Sequence, residues 1–305
     1  MNQTESYFNS TEFAARNLTF IVIFSVMVII NLLLLYVINV KASKKNVATV
    51  DRFILSINCL TILVICAVEI LVLCYSELLA SFNIACSLLI VLIDSMLFVF
   101  TCLLVYNAVM HFSSIKKDRL FQSLHKLTRN TRFAIASILL LVVVGFGVYS
   151  FFVYYFKEFF FVAKPNLSTN QTTTTDMERF TCYPGASTAI SVLIMLFNFM
   201  PCMLLLLVYI LAAFELKKRI DESKNSNQKR DQYLIKKFYI SSFISMLLFL
   251  PFSIERSIQT MCPTCLPFLL ATIIQALSMS TLCIHPLYLV LNHNKLREAL
   301  FIMLN

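Results

Sequence analysis

Long apolar runs separated by short polar segments dominate the chain, and seven of them are long enough to matter: residues 18–40, 53–75, 83–112, 133–155, 187–216, 238–257 and 267–291. A helix rises ~1.5 Å per residue and the hydrocarbon core of a bilayer is ~30 Å thick, so about 20 mostly apolar residues are needed to cross it. Each run meets that requirement, and together they predict an all-α protein built as a seven-transmembrane helix bundle. A transmembrane β-barrel is excluded, because barrel strands are ~10 residues of alternating pattern and these runs are continuous. Beyond residue 291 the pattern becomes amphipathic. Leu296, Ala299, Leu300, Met303 and Leu304 recur at helical spacing, with Lys295, Arg297 and Glu298 opposite them. That spacing predicts a short C-terminal amphipathic helix lying on the inner leaflet. The chain thus divides into an extracellular N-terminus (1–17), a membrane domain (18–291) and a cytoplasmic helix and tail (292–305).

Composition agrees with the pattern: 59% of the 305 residues are apolar and only 13% are charged. A water-soluble domain carries about twice that charge. The net charge of +9 acquires its meaning from where the basic residues fall. Lys41, Lys44, Lys45 and Arg52 surround the first loop, and Lys116, Lys117, Arg119, Lys126, Arg129 and Arg132 the second. Lys217, Lys218, Arg219, Lys224, Lys229, Arg230, Lys236 and Lys237 crowd the third, and Lys295 and Arg297 the tail. The remaining five are Arg16, Lys157, Lys164, Arg179 and Arg256. Cytoplasmic loops hold the Lys/Arg excess, which puts the N-terminus outside and the C-terminus inside. The positive charge is therefore a topological signal, and no nucleic-acid partner is expected. Membrane lipids are the surroundings this pattern requires. Glycosylation acceptors headed by Asn2, Asn9, Asn17, Asn166 and Asn170 all fall on the outer side of this topology. Asn17 stands close to the first helix. The first 17 residues are polar, without the basic and apolar regions of a cleavable signal peptide, so the first helix is expected to act as the uncleaved targeting signal.

Ionisable side chains at bilayer depth are costly and mark functional sites. Asp94 lies eight residues into the third segment from Cys86, about 12 Å at ~1.5 Å per residue. Glu69 lies six residues from the outer end of the second, about 9 Å. Similar depth on neighbouring helices predicts two carboxylates near one pocket, suited to a cationic ligand, with Glu69 nearer the mouth and better solvated. The alternative is a structural role, with one carboxyl protonated or bonded to a neighbouring Asn, Ser or Thr. Glu255 and Arg256 follow Pro251 at the outer rim, and Gln275 lies high in the last segment as a further polar candidate. Pro201, Pro251 and Pro286 each remove a backbone hydrogen bond and bend a membrane helix. Such bends are either static kinks or points about which the inner ends move. Cys262 and Cys265 flank a Pro-Thr pair in an outer loop, where a local disulfide is favoured over a redox motif or a zinc site. Cys59, Cys66, Cys74, Cys102, Cys202 and Cys283 lie within apolar helices as packing residues.

Several of these residues form a pattern. Asn31 stands inside the first segment in Ile30-Asn31-Leu32-Leu33. Cys86 opens the third, and Cys182 precedes the fifth. Pro201 interrupts the fifth with Tyr209 two turns below it, Pro251 the sixth, and His285-Pro286-Leu287-Tyr288 ends the seventh. With the topology, this resembles the rhodopsin-like G-protein-coupled receptors over nearly the whole chain. The resemblance implies a Cys86–Cys182 disulfide, which suits two residues on the oxidising side and would tether the long outer loop over the bundle mouth; two free thiols are the alternative. It also implies an activation role for Tyr209, Pro251 and Pro286, a small-molecule ligand among the helices, and a heterotrimeric G protein as the cytoplasmic partner of the charged 214–237 loop.

The departures are as informative. At the inner end of the third helix the family's acidic-Arg-aromatic triplet is replaced by Met110-His111-Phe112, and the inner Asp of the second helix by Thr61. There is no Trp anywhere, so Phe249 takes the sixth-helix Trp position. His285 replaces the Asn of the family's seventh-helix signature, and Tyr288 comes one residue early. Such a divergent member looks most similar to the chemosensory branch, such as fish odorant receptors. Asp94 also falls one residue later than the amine receptors' Asp, about 100° around the helix, so their ligand preference does not transfer directly. Retinal is disfavoured, because residues 267–291 contain no Lys for a Schiff base. No enzyme is expected, since the four His residues are dispersed and 3 Gly cannot build a phosphate-cradling loop. No cofactor or metal is expected either. The reading is a plasma-membrane receptor binding an extracellular small molecule, an odorant or an amine, and signalling to a G protein. Its rivals are a receptor-shaped protein that does not couple and a membrane transporter, which would show paired repeats and ionisable residues along a continuous path.

Overall fold

The computed structural model describes residues 10–41, 49–75, 83–115, 119–155, 188–221, 250–251, 254, 268–292 and 294–304. Among them every element is helical. Helix α1 (Ser10–Tyr36) runs directly into a π-helical turn (Val37–Lys41). It is followed by α2 (Thr49–Cys74), α3 (Asn83–Ile115), α4 (Arg119–Thr128), α5 (Thr131–Tyr155), α6 (Thr188–Asp221), α7 (Phe268–Asn292) and α8 (Asn294–Leu304).

Among the described residues four helices contain stretches long and apolar enough to cross a membrane: Ala15–Val40, Val50–Cys74, Val91–Met110 and Thr131–Phe151. Helix α6 carries a shorter apolar stretch, Phe199–Glu215, within the residues searched. The side-chain distribution matches a lipid setting. On α1, Leu18, Val22, Val26, Ile29, Leu32, Tyr36 and Val40 form an exposed stripe, while Phe20, Phe24, Met27, Asn31, Leu34 and Ile38 form a buried one. Both stripes advance by three or four residues, the repeat of a helix with one face packed. The exposed stripe is as apolar as the buried one. Leu139, Leu140 and Val143 do the same on α5, each at least 60% exposed. Apolar surface of that extent is tolerated in hydrocarbon and marks an interaction surface in water. The protein is therefore a membrane-embedded helical one.

Five of the predicted segments correspond closely to α2, α3, α5, α6 and α7. The first begins earlier than expected, at Ser10. The sixth (238–257) lies outside the described residues except at 250–251 and 254. The helix α4, inside what reads as a polar connection, was not expected. Its last turn is held to α3: the Tyr106 hydroxyl donates to the Thr128 carbonyl oxygen at 2.6 Å, and Ser113 Oγ lies 3.4 Å from His125 Nδ1. Asn130 then caps α5, its Oδ1 accepting from the Arg132 amide at 3.0 Å.

Helix α3 occupies the centre and packs against α2, α4, α5 and α6, while α1 packs against both α2 and α7. One apolar cluster runs through five helices, joining Phe24 and Met27 of α1, Ile62 and Ile65 of α2, Leu97 and Phe100 of α3, Leu205 of α6, and Met279 and Leu282 of α7. A second gathers Val37 and Ile38, Leu55 and Cys59, Val290, and Leu296 and Leu300, which seats α8 against the ends of α1, α2 and α7.

The α3–α5 contact depends on Gly145. A Cβ there would meet Phe98 Cδ1 at 3.2 Å and the Ser95 carbonyl oxygen at 3.5 Å, whereas at Gly147 nothing lies within 4 Å. Small residues let membrane helices approach closely. Gly145→Ala is expected to be accommodated by a small swing of the Phe98 ring. Gly145→Leu would push the α3 backbone away and destabilise the bundle by about 1–3 kcal/mol, the usual penalty of overpacking. Gly147→Leu should be close to neutral. Thermal unfolding of the three detergent-purified variants checks this, and equal behaviour of the two Leu variants would show that the contact is not tight.

Candidate functional site

The half of the bundle nearer the N-terminus of α1 holds three of the sequence-predicted polar residues, on α2, α3 and α7. Interhelical contacts fix their relative depth. Near the N-terminal end of α1, Arg16 Nη2 donates to Gln275 Oε1 of α7 at 2.8 Å, and its guanidinium stands 5.6 Å from the centre of the Phe20 ring. Deeper, Cys66 Sγ of α2 meets Met27 Sδ of α1 at 4.0 Å. The Phe100 ring of α3 faces the His285 ring of α7 edge-on, centroids 6.2 Å apart at 89°.

Glu69 lies three residues outward of Cys66 and Asp94 six outward of Phe100, about 4.5 Å and about 9 Å along their helices. Gln275 lies ten residues outward of His285, about 15 Å. The two carboxylates are thus within about one helical turn of each other in depth, on two helices that pack directly. The Arg16–Gln275 pair sits above them. Glu69 is only 6% exposed, and Asp94 is half-buried. This reverses the expectation that Glu69 is the better solvated: the bundle covers Glu69 more than its distance from the helix end implies. Both carboxylates take part in interactions within the protein, as groups at this depth must, because an isolated charge there is strongly disfavoured.

Below this level the interior is polar again. Asn31 Nδ2 donates to the Met27 carbonyl oxygen at 2.9 Å, leaving Oδ1 buried without a partner. Asn58 is completely buried with neither side-chain atom bonded, and Asn107 Nδ2 is likewise without a partner. Thr61, at the place of the family's inner Asp, is buried at 5% exposure, and so is His285. Orphaned buried amides of this kind normally hold internal water.

Of the residues to which the resemblance gives an activation role, Tyr209 is half-buried against the central cluster and Tyr288 half-buried in α7. Pro201 and Pro286 are buried inside α6 and α7. His111 lies in α3, and Cys86 in its first turn. Pro251 falls in the two helical residues described at 250–251. Phe249, Glu255, Arg256, Cys182, Cys262 and Cys265 lie outside the described residues, as do Asn2, Asn9, Asn166 and Asn170. Asn17 lies within α1, two residues into its membrane-length stretch. Among the described residues Cys59, Cys66 and Cys202 are buried, Cys102 is half-buried, and Cys74 is exposed at the C-terminal end of α2, none of them in a disulfide. The residue that sequence reasoning passed over is Arg16. Its signal was a solitary base at the outer edge of the first apolar run, away from the basic loops. Compared with known proteins, the chain matches no family model and no curated protein.

Proposed function

We propose that the protein is a divergent receptor of the rhodopsin-like type, which binds a cationic small molecule in the outer half of a seven-helix bundle and signals to a heterotrimeric G protein. The observation that carries this reading is the pair Glu69 and Asp94, placed within about a turn of each other in depth on packed helices α2 and α3. A buried carboxylate is retained in a membrane bundle when it serves a ligand or a path. In this reading α1, α2, α3, α5, α6 and α7 are six of the seven spans, and 238–257 supplies the sixth in chain order. The N-terminus is outside and the site is the plasma membrane. Closure of α1 onto α7 and the central place of α3 support a pocketed bundle.

One observation favours a receptor-shaped protein that does not couple. Where the family carries its acidic residue, Met110 packs with Val50, Ile54 and Ala134 in an apolar cluster. The inner end of α3 therefore lacks both the acid and the Arg.

Expression of the full chain with a panel of G proteins separates the two readings. Constitutive or amine-evoked exchange on at least one G protein is expected; silence across the panel from a surface-expressed protein favours the second. Orientation is tested apart from signalling by protease protection in microsomes. Cleavage within 225–230 is expected only from the cytosolic side, and cleavage only from the luminal side would invert the topology.

A further inference from the structure

Arg52 stands in the first turn of α2, where its Nε is buried without a hydrogen-bond partner. The carboxylate beside it in sequence is engaged elsewhere: Asp51 Oδ2 takes Arg129 Nη2 at 3.3 Å. Leaving a charged donor buried and unpaired costs more than leaving a neutral one. The arrangement calls for an anion.

Helical geometry says where that anion sits. Positions three, four and seven residues on share a face with Arg52, and these are Leu55, Ser56 and Cys59. Leu55 and Cys59 belong to one apolar cluster with Val37 and Ile38 of the π turn, Val290 of α7 and Leu296 of α8. Ser56 Oγ accepts from Asn39 Nδ2 of the π turn at 3.1 Å. Arg52 therefore heads the stripe of α2 that faces the junction of the π turn and α8. Two further bases stand in the chain on the elements that meet here. Lys41 ends the π turn, and Arg297, half-buried, follows Leu296 on α8. Glu298, exposed on α8 and already interacting within the protein, is the acidic residue beside them.

We propose that this junction binds the phosphate of an anionic glycerophospholipid from the inner leaflet, with Arg52 as its principal ligand. A guanidinium fork matches phosphate oxygens in a bidentate way, and the cytoplasmic leaflet is where anionic headgroups concentrate. The acyl chains have a surface to lie on. Tyr36 and Val40 are 47% and 44% exposed beside the π turn, and Phe301 and Ile302 are 51% and 61% exposed on α8. The bound lipid would clamp α8 to α1 and α2. The inference rests on the proposed orientation and not on signalling, and protease protection tests that orientation separately.

The test is lipid titration of the detergent-purified full chain, followed by its thermal unfolding midpoint. Dioleoylphosphatidylserine is expected to raise the midpoint saturably, and dioleoylphosphatidylcholine and inorganic phosphate are not. Arg52→Gln should raise the half-saturating lipid fraction by roughly 10-fold to 150-fold, the range for one lost charge-assisted hydrogen bond. Arg52→Lys should fall between. Arg129→Gln, which removes a base already paired with Asp51, should stay within about twofold of wild type. An equal loss in Arg52→Gln and Arg129→Gln would overturn the site in favour of diffuse attraction. Saturation by inorganic phosphate alone would overturn the lipid as occupant. Should Arg52→Gln not fold, Arg52→Lys with undiminished lipid response would overturn the proposal by itself.

Discussion

Asp94→Asn is expected to weaken an activating amine by roughly 10-fold to 150-fold while sparing surface expression. An ammonium group that meets a carboxylate in a low-dielectric cavity gains charge-assisted hydrogen bonds worth about 1.5–3 kcal/mol each, and ~1.4 kcal/mol is a decade in affinity. Asp94 is the more accessible of the two carboxylates, being half-buried. Glu69 is different: at 6% exposure it is covered by the bundle. Glu69→Gln should therefore change amine potency less than Asp94→Asn does and lower the thermal stability more. Dose–response curves on cells, normalised to surface protein, measure the first effect. Unfolding of purified protein measures the second. An uncharged agonist with unchanged potency in both variants would leave the carboxylates with a structural role.

The long elements were legible because their signal is local. An uninterrupted apolar run states its own length, and five of the runs end within a few residues of α2, α3, α5, α6 and α7. The early start of α1 is also local in cause. Residues 10–17 read Ser-Thr-Glu-Phe-Ala-Ala-Arg-Asn, polar enough to end a hydropathy run yet rich in good helix formers. Helix α4 was hidden for the opposite reason. Its ten residues are amphipathic and too short to stand alone, and the bonds that hold it come from Tyr106 and Ser113 on another helix.

The candidate site was only half legible. Cost at depth singles out Asp94 and Glu69 from sequence, because a carboxylate in an apolar run is conspicuous wherever it points. The order of their burial was not readable, since it depends on how the helices pack around each of them. Arg16 and Gln275 are 259 positions apart, and nothing in either neighbourhood announces the other. The same holds for Asn58. An Asn in an apolar run is unremarkable until the packing leaves both its side-chain atoms without partners. Arg52 reads as one base among many at the inner face, and only the buried Nε separates it from the rest.

Cys86→Ala and Cys182→Ala are each expected to reduce surface expression severely, and the double variant to be no worse than either single one. Cys86 lies in the first turn of α3, the helix against which α2, α5 and α6 all pack. A covalent tie from there to the 156–187 connection would restrain a loop of nearly a hundred residues between the two sulfurs. Loop closure on that scale is worth about 4.7 kcal/mol in the chain-entropy view, and loss of a native disulfide costs 2–5 kcal/mol in small secreted domains. A membrane bundle held mainly by close packing loses a comparable margin. Because either single substitution already removes the whole bond, the second removes nothing more, and the cycle isolates the partnership. Cell-surface labelling of all four forms, with total expression as the denominator, supplies the measurement. Losses that add across the two positions would show that Cys86 and Cys182 act independently. Free Cys74, exposed at the outer end of α2, would then be the next partner to test against Cys86, by the same cycle.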